Sequence, residues 1–375
     1  MTKGTEKRAR VNRGPLAEID LSALQHNLET VRKITDERPV IAVVKADAYG
    51  HGSVEIARRL VGLGVTHLAV AYTGEAKLLR ESGIAAEIIV LFDRSDIEDY
   101  FTYGLVPVVQ DKETAREFAL EARERGVRIR VHMKVDTGMG RLGFSPEKSV
   151  SDAVEISGWD GIELAGLMSH FSEADLADRS YALHQMELFM KIKGAITARL
   201  GRPLMSHIAN SAAALTFRDA LMDAVRPGLL LYGYSPFEDG FGLRPLMTIR
   251  TRVLAVRSLC AGTPVSYGRT FVTKTDSKIA VVPVGYADGY NRLFSNNGEM
   301  LVRGRRAPVV GRVCMDVTML DVTGIGGVCE GDEVVILGGR GDDKITAADL
   351  ASRIDTIPYE ILISLGSRAR REYIN

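Results

Sequence analysis

The sequence predicts a (β/α)8 barrel followed by a smaller, mostly antiparallel β domain. Three observations support this fold class: eight short apolar runs, amphipathic helical patterns between them, and a change of pattern near residue 240. Apolar strands separated by helices are typical of a parallel sheet whose faces are covered by helices. Eight such units within about 220 residues favour a closed α/β barrel (a TIM barrel) over an open doubly wound sheet.

The predicted barrel elements follow one another along the chain. Asp20 can cap a first helix. The apolar side chains of that helix recur every three or four residues, at Leu21, Leu24, Leu28, Val31 and Ile34. The eight strand-like runs span residues 39–46, 65–71, 87–92, 105–110, 128–136, 164–170, 204–210 and 224–233. Further amphipathic helical patterns span residues 53–63, 74–82, 112–125 and 178–200.

A different pattern begins beyond residue 242. Polar and apolar residues alternate in segments 248–261, 278–286, 299–320 and 333–337, which turn sequences such as Asn-Asn-Gly separate. Alternation with short turns predicts antiparallel strands. One helical pattern stands out, at 346–353. We therefore divide the chain into a basic flexible tail (1–14), a barrel (15–242) and a C-terminal β domain (243–375).

The composition indicates a globular protein without a charge excess. The 375 residues include 48 basic and 48 acidic ones, and 46% are hydrophobic. This balance argues against a disordered chain and against nucleic-acid binding, which needs a basic surface. Three cysteines are too few for a disulfide framework. Because no apolar run reaches ~18 residues and the basic N-terminal residues lack the apolar core of a secretory signal, we expect a cytoplasmic protein with no membrane segment.

Polar side chains fall at or near the C-terminal ends of the predicted barrel strands, the face that carries the active site in (β/α)8 barrels. They are Lys45 and Tyr49 after the first strand, Lys134 and Arg141 after the fifth, His170 after the sixth, His207, Asn210 and Ser211 around the end of the seventh, and Arg226 and Gly228 in the eighth. Taken alone, each could be a solvated charge, a helix cap or a turn residue. Their convergence on one face favours a functional site.

A lysine and an anion-binding loop on the same face indicate a cofactor. A lysine among apolar neighbours loses its proton more readily, which suits Schiff-base chemistry. Asn210 and Ser211 open a helical run, and Gly228 and Leu229 follow in the eighth unit, where barrels often bind a phosphate group. Together these features predict pyridoxal phosphate. No metal-binding motif, Walker loop or dinucleotide-binding glycine loop competes with this interpretation.

Eight longer blocks carry a family resemblance. They are VVKADAYGHG (43–52), KVDTGMGRLGF (134–144), HIANSAAAL (207–215), VRPGLLLYG (225–233), VSYGRTF (265–271), VGYADGY (284–290), GRVCMD (311–316) and DTIPYE (355–360). With these blocks in this order, the sequence resembles the bacterial alanine racemases from about Leu16 to the C-terminus. The resemblance implies a pyridoxal-phosphate enzyme that interconverts L-alanine and D-alanine and supplies D-alanine for peptidoglycan. It also implies a cytoplasmic homodimer whose active sites are shared between subunits.

The resemblance also implies a role for each matching residue. Lys45 binds the cofactor as an imine and is the base for the D-enantiomer, whereas Tyr267 from the other subunit is the base for the L-enantiomer. Arg226 faces the pyridine nitrogen, supported by His207 and linked through His170 towards Tyr267. The other implied cofactor-binding residues, most of them at the phosphate, are Tyr49, Asn210, Ser211, Gly228, Leu229 and Tyr359.

The implied substrate site lies beside the cofactor. Arg141 and the backbone N–H of the partner subunit's Met315 bind the substrate carboxylate, and Tyr286 lines the entrance. Lys134 is a candidate for carbamylation, which would present a negative charge to Arg141.

Other interpretations remain open at this point. A racemase for serine or another small amino acid would use the same residues, because one hydroxyl is a weak discriminator. A barrel that only stores pyridoxal phosphate would have no use for the blocks at 265–271 and 311–316. A decarboxylase would need an acidic partner for the pyridine nitrogen, where Arg226 stands. Tyr267 and Tyr286 could also be strand aromatics that pack inside the β domain.

Overall fold

The computed structural model describes residues 14–237, 241–340 and 343–375. The chain forms two compact units: a barrel unit of residues 21–244, and a β unit in which residues 14–20 join residues 245–375. The predicted basic tail, 1–14, lies outside the described residues except for Gly14. Among the described helices, none is both long and apolar enough to cross a membrane.

Seven parallel strands form the sheet of the barrel unit. Each strand pairs with the next one along the chain, and most of their residues are buried. The strands are Ile41–Val43, His67–Val70, Glu87–Val90, Val106–Val109, Ile129–Lys134, Ile162–Met168 and Met205–His207. Each overlaps one of the predicted runs, so the parallel α/β architecture is confirmed.

An eighth segment, residues 224–227, joins the last strand to the first. Val225 pairs in parallel with Val40, and the N–H groups of Ile41 and Val43 donate to the carbonyl oxygens of residues 225 and 227 at 2.9 and 3.0 Å. On its other side, the N–H of Arg226 donates to the carbonyl oxygen of Ala209 at 2.9 Å. The predicted strand at 224–233 is therefore less than half as long as expected. Pro227 has no N–H to continue the ladder, and Leu229–Tyr232 forms a 3-10 turn.

Helices connect the barrel strands. Their apolar faces are buried, as in the first helix, where Leu24, Leu28 and Val31 are at most 1% exposed. The longer helices are Leu21–Ile34, Ser53–Gly62, Thr73–Glu81, Lys112–Glu124, Pro146–Ser157 and Ser180–Leu200. All five barrel helices predicted from the sequence are present, with shifts of no more than two residues at their ends.

The larger sheet of the β unit joins distant parts of the chain. Strand Leu16–Asp20 pairs in parallel with Arg370–Ile374 and antiparallel with Met247–Arg252. Ala17 and Ile19 are fully buried, whereas the residues between and beside them are half-buried. The structure differs here from the predicted barrel start at residue 15. Residues 16–20 join the β unit because both edges of this strand find partners there.

The remaining strands of the β unit pair antiparallel, as predicted. From Met247–Arg252 the larger sheet continues to Glu333–Arg340, Glu299–Val302 and Arg305–Pro308, and Asp343–Ile345 pairs with Glu333–Arg340. A second sheet contains Ala255–Leu259, Ser277–Val282 and Thr318–Asp321, and Pro264–Val265 pairs with Phe271–Val272.

Two α-helices occur among the described residues of the β unit, whereas the sequence predicts one. Ala347–Arg353 matches the predicted helix. The second, Pro358–Ser367, begins with a proline, which favours a first helical turn. It buries Ile361, Leu362 and Leu365, whose three- and four-residue spacing is the pattern that the sequence analysis missed.

Asn27 is fully buried and ties the first helix to the end of the barrel unit. Its Nδ2 donates to the carbonyl oxygens of Leu231 at 3.2 Å and Arg244 at 2.8 Å. Its Oδ1 accepts the N–H of Arg244 at 2.8 Å. Three backbone groups therefore depend on one side chain.

We expect Asn27→Ala to lower the free energy of unfolding by about 3 kcal/mol, because buried polar groups lose their partners. Glu29→Ala is the control: Glu29 is exposed on the same helix, and its removal should change stability by less than about 0.5 kcal/mol. Urea unfolding followed by circular dichroism measures both values. Equal effects would contradict the role assigned to Asn27.

Candidate active site

Lys45 begins a left-handed turn directly after the first barrel strand. Residues 46–49 have φ between 52° and 55°, a conformation that costs non-glycine residues roughly 1–2 kcal/mol each. Two carboxylates stabilise the turn. Asp47 accepts the N–H of Ser53 at 2.7 Å, and Glu75 accepts the N–H of Ala46 at 2.6 Å. The turn sets the positions of the lysine at its start and the tyrosine at its end.

Three cationic side chains surround the ring of Phe92, which follows the third barrel strand. The Cζ atom of Arg141 lies 5.4 Å from the ring centroid, Lys45 Nζ lies 5.5 Å from it and Lys134 Nζ lies 5.9 Å from it. Each distance is within the range of a cation–π contact. Sequence-predicted residues from the first and fifth strand ends are therefore brought together.

Burial and mutual repulsion change the protonation of both lysines. Burial lowers the pKa of Lys45, and the charge of Arg141 lowers it further. Burial also lowers the pKa of Lys134 to about 8, with added contributions from Arg141 and Arg226. Asp136 offsets this shift only in part, since its carboxylate accepts the N–H groups of residues 138–140. Both lysines therefore have a larger neutral fraction than an exposed lysine.

Arg226 lies inside the barrel and donates hydrogen bonds to two neighbouring strand ends. Its Nη1 donates to Nδ1 and to the carbonyl oxygen of His207, both at 2.7 Å. Its Nη2 donates to the carbonyl oxygen of Ser169 at 2.7 Å and to Nδ1 of His170 at 3.2 Å. Burial lowers the pKa of Arg226 to about 10, so the guanidinium stays protonated at neutral pH. Burial and the charge of Arg226 hold the pKa of His207 well below its usual value.

The imidazole of His170 lies within the electrostatic reach of all four cations. Burial lowers the pKa of His170 to about 3, and the charges of Arg226, Arg141, Lys134 and Lys45 lower it further. His170 is therefore neutral at physiological pH. Lys45, Lys134 and Arg141 surround one aromatic ring, and Arg226 donates to His170. We call this region, at the C-terminal ends of the barrel strands, the barrel mouth.

Ser211, Gly228 and Tyr49 form a group of polar donors. The N–H of Gly228 donates to the Ser211 hydroxyl at 3.0 Å. A Cβ atom at residue 228 would lie 2.4 Å from the Tyr49 hydroxyl oxygen, so any larger residue there would displace the Tyr49 side chain. Asn210 caps the short helix that Ser211 begins, and Leu229 begins the 3-10 turn after Gly228. Hydroxyl and N–H donors around a glycine suit a phosphate group.

These donors fit pyridoxal phosphate. The cofactor needs an amine for its aldehyde carbon, a partner for its ring nitrogen and donors for its phosphate. Lys45 offers an amine with a lowered pKa, and Arg226 offers a buried, fixed guanidinium. The Ser211–Gly228–Tyr49 group offers the phosphate donors.

Two residues of this region were missed by the sequence analysis. Phe92 contacts three cations, yet an apolar side chain at a strand end carries no chemical signal of its own. His132 lies on the fifth strand, with its Nδ1 2.8 Å from Nε2 of His207. The sequence signal for His132 is a polar ring within the strand-like run 128–136, whose other residues near it are mostly apolar or at the strand end.

The β unit brings three other predicted residues together on its surface. Tyr267 is 71% exposed, Met315 54% and Tyr286 42%. The Ser266 hydroxyl donates to the carbonyl oxygen of Arg312 at 2.6 Å, and the N–H of Tyr286 donates to the carbonyl oxygen of residue 314 at 3.0 Å. Both tyrosines begin 3-10 turns. The alternative that they are packed strand aromatics is therefore wrong.

The predicted site residues thus fall into two groups. The barrel unit holds Lys45, Tyr49, Lys134, Arg141, His170, His207, Asn210, Ser211, Arg226, Gly228 and Leu229. The β unit holds Tyr267, Tyr286, Met315 and Tyr359, the last half-buried in the helix Pro358–Ser367. Roles that combine residues of both groups remain predictions.

Comparison with known proteins identifies relatives along the whole chain. The family profile "Alanine racemase, N-terminal domain" matches residues 19–236, and "Alanine racemase, C-terminal domain" matches residues 246–373. An alanine racemase of Thermodesulfovibrio yellowstonii is 51% identical over 362 residues, which cover 96% of this chain and 97% of the relative.

Solved structures agree with the sequence relatives. An alanine racemase from a D-cycloserine-producing Streptomyces lavendulae superposes with a TM-score of 0.93 at 34% identity, covering 98% of both chains. An alanine racemase from Bartonella henselae, solved with covalently bound pyridoxal phosphate, superposes with a TM-score of 0.88 at 28% identity. That comparison covers 97% of this chain and all of the Bartonella chain.

The left-handed turn predicts an unusual response to glycine. Ala46 is exposed, so Ala46→Gly removes no packing contacts and relieves roughly 1–2 kcal/mol of left-handed backbone strain. The added conformational entropy of the unfolded chain lowers stability by about 0.5–1 kcal/mol. We expect stability to stay equal or to rise. Ala198→Gly, at an exposed position of the helix Ser180–Leu200, should lose about 1 kcal/mol. Urea unfolding of both variants tests this contrast, and a loss at residue 46 as large as that at residue 198 would contradict it.

The proximity of Arg141 to Lys45 predicts a pH shift. We expect Arg141→Gln to raise the pKa of Lys45, because the variant lacks the charge that disfavours the ammonium form. Only the neutral amine is acetylated, so the pH of half-maximal acetylation should move upward, as measured by mass spectrometry of the cofactor-free protein. Arg116→Gln is the control: the guanidinium of Arg116 packs on Trp159, and its removal should leave the pH of half-maximal acetylation unchanged. An unshifted curve in Arg141→Gln would refute the assigned cause.

Proposed function

The chain belongs to the alanine racemase family, and from that membership we propose that it interconverts L-alanine and D-alanine with pyridoxal phosphate bound at the barrel mouth. The observation that carries the proposal is the cluster of cations: Lys45, Lys134 and Arg141 surround the ring of Phe92, and the buried Arg226 donates to His170. Such a concentration of cations suits a ligand set with two anionic groups, a phosphate and an amino-acid carboxylate.

The cofactor supplies what the side chains lack: when bound, its conjugated ring accepts the electron pair left at Cα as the substrate proton departs. Lys45 Nζ is the amine that would hold its aldehyde carbon. The phosphate would lie against Ser211, Tyr49 and the N–H groups of residues 228 and 229. Asn210 and Tyr359 would complete this end of the site.

Lys45 is the first of two proposed bases. Its lowered pKa increases the fraction of neutral amine near pH 7, and a neutral amine can accept the Cα proton of D-alanine. Because racemisation removes a proton from one face and adds one to the opposite face, a single base is not enough.

Tyr267 is the proposed base on the opposite face, specific for L-alanine. Its ring is exposed in the β unit, where a second copy of the chain can reach it. We propose a homodimer in which Tyr267, Tyr286 and Met315 of each copy complete the barrel mouth of the other. A C2 dimer forms two such shared sites, because a closed two-fold interface is used twice.

Arg226 is the proposed partner of the pyridine nitrogen. Its pKa of about 10 keeps the guanidinium protonated at neutral pH, so it donates a hydrogen bond and does not transfer a proton. A guanidinium that keeps its proton would leave the ring nitrogen of the bound cofactor unprotonated, and Arg226 would in this way disfavour side reactions such as transamination.

Arg141 is the proposed carboxylate ligand, and Lys134 is the residue proposed to neutralise part of its charge. The amine of Lys134, with a pKa of about 8, can add to carbon dioxide and release a proton, which leaves an anionic carbamate. That anion would pair with Arg141 and orient it. We also propose a cytoplasmic location and a supply of D-alanine to peptidoglycan, both implied by the family resemblance.

The direct test is racemisation by the purified chain loaded with pyridoxal phosphate. We expect L-alanine and D-alanine each to reach an equal mixture, measured by chiral chromatography, and Lys45→Ala to abolish the conversion. L-serine and other small amino acids form the comparison panel. Bound cofactor without inversion of any substrate would support the storage alternative, and faster inversion of serine would reassign the substrate.

Hybrid dimers test the shared site. Copies carrying Lys45→Ala and copies carrying Tyr267→Phe are co-expressed with different tags, and the mixed dimers are purified. One of the two sites in a mixed dimer would then contain both native residues, which should restore about half of the wild-type activity. Each parent homodimer should be nearly inactive. If both residues came from one subunit, the mixed dimers would stay as inactive as the parents.

A further inference from the structure

His132 is a fully buried histidine with no role in the function proposed above. It lies on the fifth barrel strand, and its side chain packs against His207 with ring centroids 5.0 Å apart. A single hydrogen bond joins the two rings, between His132 Nδ1 and His207 Nε2 at 2.8 Å. His207 in turn contacts Arg226. The three side chains form a continuous line inside the barrel.

The direction of every hydrogen bond in this line follows from Arg226. A guanidinium has only donors, so Nδ1 of His207 must accept from Nη1 of Arg226. The proton of neutral His207 is therefore on Nε2 and points at His132. His132 Nδ1 must accept it, which leaves the proton of His132 on its own Nε2.

The absence of a side chain at Gly166 leaves room for the His132 ring. A Cβ atom at Gly166, on the neighbouring strand, would lie 2.5 Å from three atoms of this ring. Glycine at residue 166 is thus required for the ring to reach His207. The Nε2 atom of His132 is buried and has no hydrogen-bond partner among the described residues, so the ring's one direct bond is the one to His207.

We propose that His132 is a positioning residue for racemisation: it accepts the Nε2 proton of His207, fixes the tautomer of that histidine and thereby holds the Arg226 guanidinium in place. Without an acceptor at residue 132, the buried Nε2–H of His207 would lose its partner, which is costly in the barrel interior. The ring of His207 would then turn, and Arg226 would lose one of its ligands. The effect on catalysis rests on the proposed role of Arg226, whereas the tautomer does not.

The tautomer is measured first, in the cofactor-free protein. Histidine labelled with 15N reports by NMR which ring nitrogen carries the proton, and loss of signals in His207→Gln assigns those of His207. We expect a proton on Nε2 and a bare, accepting Nδ1. A proton on Nδ1, or on both nitrogens, would overturn the proposal even if every variant folded poorly.

Two substitutions of similar size then separate hydrogen bonding from packing. His132→Asn keeps an acceptor near the position of Nδ1, whereas His132→Leu has none. We expect His132→Leu to lower kcat by about tenfold or more with little change in KM, and to change the His207 signals. His132→Asn should retain the His207 tautomer and recover most of the rate. Equal loss in both variants would contradict the proposal.

Leu79→Ala provides a control for lost stability, since it empties a fully buried site in the helix Thr73–Glu81. It should destabilise the fold without changing the His207 tautomer or kcat at temperatures where it stays folded. The outcomes also separate this inference from the proposed function. A wild-type chain that shows the tautomer but no racemisation would reject the function alone, whereas racemisation that is insensitive to residue 132 would reject the inference alone.

Discussion

The hydrogen bonds of residues 224–227 are the constraint on which the candidate site depends. They join the first barrel strand, which leads to Lys45, to the segment that carries Arg226, and they join that segment to Ala209, which follows the seventh strand and His207. Pro227 ends this short strand, and the backbone then turns into the Gly228 segment that contacts Ser211 and Tyr49. Closure of the barrel and assembly of the donor set are therefore one structural event.

The same region also lowers the stability of the fold, because several cations lie close together there. Lys45, Lys134 and Arg141 lie around one aromatic ring, and Arg226 is buried nearby. Uncompensated cations in a low-dielectric region repel one another and lose hydration. The protein limits this penalty by keeping His170 and His207 neutral and by lowering the pKa of Lys134. Anionic ligands would remove what remains of it.

Much of the fold was predictable because hydrophobic periodicity reports burial directly. The helix Leu21–Ile34 and the parallel strands follow from it. Pairing between distant segments cannot be predicted from periodicity, and this is why residues 16–20 are predicted to belong to the barrel. The helix Pro358–Ser367 was missed because its apolar run is short, and the periodicity of so short a run does not separate a helix from a strand. At the site, charged residues at strand ends were found, whereas Phe92 and His132 act through contacts that only the folded chain reveals.

The pairing of residues 16–20 has a consequence for biosynthesis. Leu16 is translated before the barrel segment, yet it pairs with Arg250 and Arg370, which are translated after that segment. The barrel segment lies between Leu16 and both of these partners, so it can fold before the other six strands of this seven-stranded sheet are translated. The strand Arg370–Ile374 can pair with Leu16–Asp20 only after every other strand of this sheet has been translated. In a chain truncated before residue 370, the strand Leu16–Asp20 would lose its partner on one side and become the edge of the sheet, and an unpaired strand edge is prone to aggregation.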